Sequence, residues 1–359
     1  MLFHRLQCAV AVFIALAPVL ALAQPPVPND PLEVVTAAQP IQNPEQRLAA
    51  TSLLANARAL SNVRARAYDL KTTFTSNGSS SSDGSWSMED ISPSSGVYRW
   101  TAQGPSYSAV NLYSNGLLYS NQPSGVVPLR LAQVRAAIFF VYPATGPRAS
   151  LRTAAGNLNG VEVSCVLVSH TSRKSSAAGR HWEESEYCVD PKSGLLMSYS
   201  PAPGMYVLYD YSNAIHFHNK VIPGKFTITE AGQTIIQAHP ESVTDPSKVD
   251  PAIFEPSGLN QIGVGSLMTP PWHVVSGVGS GGTNSNRSIQ VVVLHGMLSP
   301  EGALSETEVV ASTDAGLNQS ALERAAKWQE WRADSEAEPG ATPQSHEVFF
   351  TMQFAVPAS

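Results

Sequence analysis

A chain of 359 residues is more than one small module needs and, at ~150 residues per domain, accommodates about two domains with connecting segments. Hydrophobic, charged and aromatic contents of 43%, 14% and 8% exclude a chain too polar to bury a core. Lys+Arg 22 against Asp+Glu 28 leaves a formal charge of -6, which excludes the summed positive field that draws phosphate backbones, so nucleic acid is not expected as a partner.

Residues 1–23 combine His4 and Arg5 with an apolar run over 8–22 and the small-residue ending Ala21-Leu22-Ala23, the pattern of a cleavable secretory signal cut between Ala23 and Gln24. The run carries Pro18 and falls short of the ~20 apolar residues that cross a bilayer. A periplasmic mature chain is therefore expected, with inner-membrane anchoring as the alternative. Removing the leader leaves Cys165 and Cys188 of the 3 cysteines, an even pair in an oxidising compartment. Residues 161–168 and 182–189 read as two strands of a hairpin, and pairing them in one register sets the two cysteines opposite each other. This predicts a structural disulfide; a free or redox-active pair is the alternative, although the C-x-x-C spacing is absent.

Residues 24–44 hold six prolines and little periodicity, as an extended linker does. Over 45–67, Leu48, Leu53, Leu54, Ala57, Leu60 and Val63 recur near helical spacing, predicting an amphipathic helix that opens a first domain over 45–259. Short alternating runs follow at 68–75, 84–91, 96–101, 107–113 and 116–120, separated by Asn77-Gly78, Asp83-Gly84, Ser95-Gly96 and Asn115-Gly116, which tolerate the positive φ of hairpin turns. A second helix is predicted over 128–141, stopped by Pro143. Further strands are expected at 195–200, 205–211, 214–221, 225–230 and 234–238, and an extended arm over 245–259 with Ile253 and Phe254 as plugs. The fold class is α+β, an antiparallel half-barrel sheet with covering helices. Aromatic side chains crowd its strands, among them Trp86, Trp100, Tyr187, Tyr199, Tyr209 and Tyr211, either as core or as the lining of an apolar concavity for an acyl ligand.

The leader, the opening helix, the strand order and the Phe254-Glu255-Pro256 ending resemble the lipoprotein-carrier superfamily that includes LolA and LolB, over about residues 45–256. That resemblance implies an unclosed antiparallel barrel with a hydrophobic cavity under helices, and no catalytic residues.

Residues 260–287 are rich in Gly and Ser and read as an interdomain linker. Gly277-Val278-Gly279-Ser280-Gly281-Gly282 satisfies G-x-G-x-x-G, but no helix follows to aim its dipole at a pyrophosphate, so no nucleotide cofactor is expected. Over 288–359, two antiparallel strands lead through Ser299-Pro300-Glu301-Gly302 to a helix, capped by Ser320 with Glu323 or by Asn318, and then to a last strand. The segments V-V-V-L-H-G-M-L-S-P-E-G, E-V-V-A-S-T-D-A-G-L-N-Q-S-A-L-E-R-A-A-K-W and H-E-V-F-F-T-M-Q-F in this strand-strand-helix-strand order resemble the TonB carboxy-terminal domain family. The chain departs from the family pattern at Asn318 and after Trp328. The resemblance implies a small ββαβ module that accepts an extended segment of an envelope or outer-membrane protein as an added strand. The expected peptide-binding edge is Val348, Phe349, Phe350, Thr351, Met352, Gln353 and Phe354.

His216 and His218, two apart on an expected strand, share a face but have no clear third ligand, so no metal is expected. Glu183, Glu184 and Glu186 beside His181 read as a solvated strand face. No G-x-S-x-G, H-E-x-x-H or Walker pattern occurs. The expectation is a non-enzymatic envelope protein with a peptide-binding module, possessing neither catalytic residues nor a cofactor. The alternative is a lipid or lipoprotein carrier that uses a cavity in the first domain.

Overall fold

Most of the chain alternates apolar and polar residues with the period of a strand, and the architecture follows from where that alternation buries its apolar side. The computed structural model describes residues 38–94, 96–122, 126–139, 141–143, 145–170, 184–202, 204–264, 272–273, 287–312, 314–328 and 344–357. The first elements are β1 (Gln39–Pro40), α1 (Pro44–Ser61), β2 (Tyr68–Ser76), β3 (Gly84–Ser94), β4 (Val97–Gln103), β5 (Ser108–Ser114), β6 (Leu117–Ser120) and α2 (Leu129–Phe139). Next come β7 (Ser150–Leu158), β8 (Val161–Ser169), β9 (Ser185–Val189), β10 (Leu196–Ala202), β11 (Met205–Asp210), β12 (Ile215–Phe217), β13 (Lys220–Ile222), β14 (Lys225–Glu230) and β15 (Gln233–Thr244). The remainder are β16 (Asn260–Val264), β17 (Trp272–His273), β18 (Arg287–Leu298), β19 (Leu304–Ser312), α3 (Asn318–Ala325) and β20 (His346–Pro357).

A 14-stranded sheet runs in the order β1-β7-β8-β9-β10-β11-β14-β15-β2-β3-β4-β5-β6-β16. Its end strands β1 and β16 do not pair with each other, so the sheet is an unclosed half-barrel, curled around α1 and α2. Along β2 the side chains of Tyr68, Leu70, Thr72 and Phe74 are buried while alternate positions are not. From α1, Ala50, Leu54 and Ala57 meet the concave face at i, i+4 and i+7. Asn43 starts that helix by accepting from the Gln46 amide, ahead of Pro44, whose missing N–H costs nothing there. From α2, Leu131, Val134 and Ala137 join the same core, while Leu129, Arg130 and Gln133 are buried elsewhere, so the helix is covered on more than one side. The Asn115-Gly116 turn adopts φ of 55° and 77°, the positive pair that lets two residues close β5 onto β6 with the strands' own twist.

Several sequence expectations need correction. The opening helix ends at Ser61 instead of reaching residue 67, because Asn62 leaves helical geometry and its side chain caps a short 3-10 turn, Val63–Ala65. The end of the expected Pro-rich linker is structured: Gln39 and Pro40 pair with Thr153 and Arg152 as an edge strand, where a proline's missing donor is tolerated. Strand β7 was not anticipated, since Thr153-Ala154-Ala155-Gly156 has weak strand preference and is held by pairing with β8. The expected strand over 214–221 is a hairpin, β12 and β13, broken where His218 takes φ of 53°; His216 and His218 therefore do not lie along one strand face. The arm over 245–259 forms two 3-10 turns, Pro246–Lys248 and Pro251–Phe254, capped by Asp245 and Asp250. The expected linker begins with a strand, β16, on β6.

Residues past 286, with β17 added from 272–273 at one edge, form a second unit with strand order β17-β20-β18-β19. On one face of this sheet Val292, Leu294, Val348, Phe350, Met352 and Phe354 pack against Ala321 and Ala325 of α3. The opposite face, through Val293, Ala311 and Phe349, packs against Leu129 and Met205 of the first domain. The two units thus share a core, which an expectation of freely linked domains did not include. Helix α3 has no side-chain cap: Ser320 lies inside it, and Asp314 instead accepts from the Gly316 amide to start a preceding 3-10 turn. No helix among the described residues is long and apolar enough to cross a membrane.

Candidate functional site

An apolar cleft opens where the carboxy-terminal ends of α1 and α2 lie over the concave face. Ala137, Ile138 and Tyr142 form one wall, and Leu196, Tyr209, Tyr211 and Phe226 form the floor. Ser61 and Val63 close the α1 end, and Ile222 and Pro240 the other. The cleft measures about 460 Å³ out to its open mouth, but its inner void is about 30 Å³, room for a water or two. Ligand pockets commonly run to ~300–1,000 Å³, so anything larger than water enters only if a wall moves.

The polar atoms in this lining are already engaged. The Tyr209 hydroxyl donates to the Ala137 carbonyl at 2.8 Å, which ties β11 to α2. The Tyr211 hydroxyl donates to the Leu196 carbonyl at 3.0 Å, and the hydroxyls of Ser61 and Tyr142 share a bond of 2.8 Å that ties α1 to the chain beyond α2. Burial pushes the Tyr142 phenol up to about 12 and raises those of Tyr209 and Tyr211, so all three are neutral at physiological pH. A site with an apolar wall and satisfied neutral hydroxyls recognises shape and hydrophobicity, and offers nothing to a charge.

Of the aromatic residues singled out in the sequence, Tyr209 and Tyr211 line the cleft, while Trp86, Trp100, Tyr187 and Tyr199 belong to the packed core. Ile253 and Phe254 are half-buried against other parts of the molecule and do not plug the cleft. Ser61, Ala137, Ile138 and Tyr142 were not anticipated as lining. The available signal was the apolar run that carries α2 up to Pro143, more apolar than one helical face requires.

Cys165 and Cys188 stand opposite each other in the β8/β9 register and are joined by a disulfide, with a Cα–Cα distance of 4.0 Å. Glu186 lies 3.3 Å from Cys188 Sγ, but a disulfide offers no thiolate, so the trio has no soft ligand for a metal. Glu184 and Glu186 are buried, which corrects their reading as a solvated face; Arg152 of β7 reaches past β8 to meet Glu184, just before β9, at 3.1 Å and compensates its charge. Ala23, Gln24, His181, Glu183 and residues 277–282 lie outside the described residues.

The expected peptide-binding edge is not vacant throughout. β20 pairs with β18 along its whole length, and on its other side Phe349 and Phe350 pair in parallel with Trp272 and His273, supplied by the stretch expected to be an interdomain linker. Val348, Phe350, Met352 and Phe354 point under α3, and Phe349 and Thr351 are buried on the opposite face. The side chain of Gln353 lies outside the described residues.

One cluster does bring together a serine, a histidine and a carboxylate. Glu308 accepts from the Ser79 hydroxyl and meets His295 Nδ1 at 2.8 Å. Burial raises the Glu308 carboxyl, but the bonds from Ser79 and His295 outweigh it and hold the group below its usual range. The order is wrong for nucleophilic catalysis, because the carboxylate and not the imidazole receives the serine hydrogen. His295 Nε2, the atom a base would use, is buried without a hydrogen-bond partner among the described residues, and the ring centroids of His295 and Phe349 are 5.4 Å apart. Next to this cluster Glu347 accepts from the Ser81 amide at 2.7 Å and from the hydroxyls of Ser80 and Ser82. These contacts join β19 and β20 to the β2–β3 loop of the first domain.

No protein-family model and no curated protein matches the chain. Solved structures that match include a LolA-superfamily protein from Nitrosomonas europaea, 10% identical, covering 57% of this chain and 97% of that chain with a TM-score of 0.41. A DUF1329-family protein from Desulfovibrio piger is 8% identical and covers 59% of this chain and 98% of that chain, with a TM-score of 0.40. An outer-membrane lipoprotein-sorting protein domain from Vibrio parahaemolyticus is 7% identical, covering 59% of this chain and 97% of that chain with a TM-score of 0.36.

Proposed function

We propose that the protein is a non-enzymatic carrier of the cell envelope whose first domain takes the apolar chain of a lipid or of an acylated protein between the concave sheet and its two helices. The observation that carries this reading is the cleft beneath α1 and α2: its walls are apolar and its hydroxyls are satisfied, as suits a greasy chain held out of water. The oxidised Cys165–Cys188 pair supports an extracytoplasmic setting, as does the leader expected from the sequence. The test is uptake of an anthroyloxy-labelled stearate by the full chain, together with mass spectrometry of lipid extracted from the purified protein. Ile138→Lys, which places a charge in the wall, is expected to lower uptake at least tenfold. Absence of both extracted lipid and probe uptake sinks the reading.

A second reading makes the carboxy-terminal unit a module that captures an envelope or outer-membrane protein by strand addition. It is favoured by the far side of β20, where, among the described residues, positions 351–357 have no strand neighbour beyond β18. Hydrogen exchange tests it: an added partner strand slows exchange of backbone amides over 351–357. Unchanged exchange in the presence of solubilised outer-membrane proteins removes this reading.

A further inference from the structure

Helix α2 reaches from one functional region to the other. At ~1.5 Å per residue its 11 residues span about 16 Å. Its far end supplies Ala137 and Ile138 to the cleft wall. Its near end lies in the junction between the units, where Leu129 packs with Val293, Ala311 and Phe349. The next residue, Arg130, is wholly buried and holds Asp83 at 2.9 Å and Glu230 at 2.7 Å, while its amide donates to the Ser82 hydroxyl at 3.2 Å. That serine donates in turn to Glu347 of β20. The start of α2, the 79–83 loop and the carboxy-terminal sheet therefore form one hydrogen-bonded and apolar junction. Its tightness is clearest at Gly204, where a Cβ would sit 2.2 Å from that of Ala311.

We propose that the docked carboxy-terminal unit is a lock on the apolar cleft, acting through α2. This rests on the carrier reading above. The void of about 30 Å³ admits no acyl chain, so a wall must move for loading; in the lock that wall is α2, whose shift drags Leu129 and Arg130 against the unit that covers them. Undocking removes the Val293, Ala311 and Phe349 surface from Leu129 and the Glu347 acceptor from the serine loop. The helix is then held only by its own domain. A partner that engages the carboxy-terminal unit would thereby release the cargo site about one helix length away, with differential contacts in the docked and undocked states carrying the coupling.

Three forms of the full chain test the lock with the same labelled stearate. In the wedge form, Ala311→Glu places a charge against Gly204 while leaving the α3 face of its own sheet intact. In the bridged form, Ser81→Cys and Glu347→Cys are joined by a short bis-maleimide, because the wild-type side chain of 347 already contacts residue 81. Hydrogen exchange over 129–133 reports docking independently and should be faster in the wedge form and slower in the bridged form. The lock requires at least tenfold tighter uptake by the wedge form than by wild type, and at least tenfold weaker uptake by the bridged form. Equal uptake by forms whose exchange differs overturns the lock and leaves the carrier standing. Wedge and bridged forms whose exchange over 129–133 matches wild type overturn it too, since the junction then does not hold α2. Uptake by none of the three sinks the carrier reading itself.

Discussion

The Arg135 guanidinium and the Asp90 carboxylate face each other at 2.5 Å beneath α2, both almost sealed from water. The Trp100 ring lies 4.1 Å from the guanidinium carbon, and the Tyr68 hydroxyl donates to the other Asp90 oxygen at 2.9 Å. The pair pins the middle of α2 to β3, so its loss affects the helix that walls the cleft. Removing one member leaves the other charge buried without its main partner, which costs ~3–5 kcal/mol, whereas replacing both by apolar residues of similar volume costs far less. Urea unfolding should therefore rank Arg135→Met as much less stable than Arg135→Met combined with Asp90→Leu. A double variant no more stable than the single one contradicts this account.

How far the sequence reveals this arrangement depends on the range of the interaction. Strands β2 to β6 are legible because Tyr68, Leu70 and Phe74, and then Asn115-Gly116, express period and turn within a few residues. Strand β7 is not legible, since its Ala and Gly residues become a strand only through their β8 neighbours. The tyrosines of the cleft floor stand out as strand aromatics, yet nothing local says that Tyr209 will donate to Ala137, 72 positions away, or how little space the helices leave. The junction is the least visible feature. Ser81 and Glu347 are 266 positions apart, and a run of four serines reads as a turn until a carboxylate arrives from the last strand.

The disulfide predicts a measurable stabilisation that does not depend on the cleft. Cys165 and Cys188 are separated by 23 positions, and a loop of that size contributes about 3 kcal/mol by restricting the unfolded chain. Both sulfurs are buried in a small apolar cluster with Leu158 and Val163, so replacing both cysteines by serine also loses apolar burial. Unfolding in urea should move to lower concentration after reduction or in the double serine variant, with the β8 and β9 amides the first to exchange. An unmoved midpoint refutes it.

Alkaline pH provides a third handle, and its sign is fixed by burial. Tyr107 and Tyr142 are pushed up to about 12 chiefly by burial, and Tyr68, Tyr209 and Tyr211 are raised from the same leading cause. Unfolded phenols ionise near 10. The folded state therefore keeps protons that the unfolded state releases. The contribution is complete below about pH 10 and is lost as pH rises towards the folded values, on the order of 3 kcal/mol for a group raised by two units. Stability should fall steeply above about pH 10, with phenolate absorbance from these residues appearing only as the chain unfolds. Tyr142→Phe should flatten the decline by about one proton. Phenolate absorbance from all the tyrosines near pH 10 in a chain that remains folded runs against this.

Two ion pairs that look alike in the sequence should differ widely in worth. Lys71 Nζ meets Glu89 at 3.1 Å on neighbouring strands, but the lysine side chain is 53% exposed, and such a pair contributes ~0–1 kcal/mol because water and salt screen it. Arg130 has no exposed side-chain surface, and it holds Asp83, Glu230 and Gln133 together at the start of α2. Arg130→Leu strands two carboxylates in a largely buried place and should cost ~3–5 kcal/mol. Lys71→Ala should lie within experimental error of wild type, and high salt should erase what difference remains while leaving the Arg130 effect nearly intact. The comparison also separates burial from charge count, since both substitutions remove one positive charge. Equal losses of stability for the two would mean that the junction beneath Leu129 is open to water and cannot hold α2 in place.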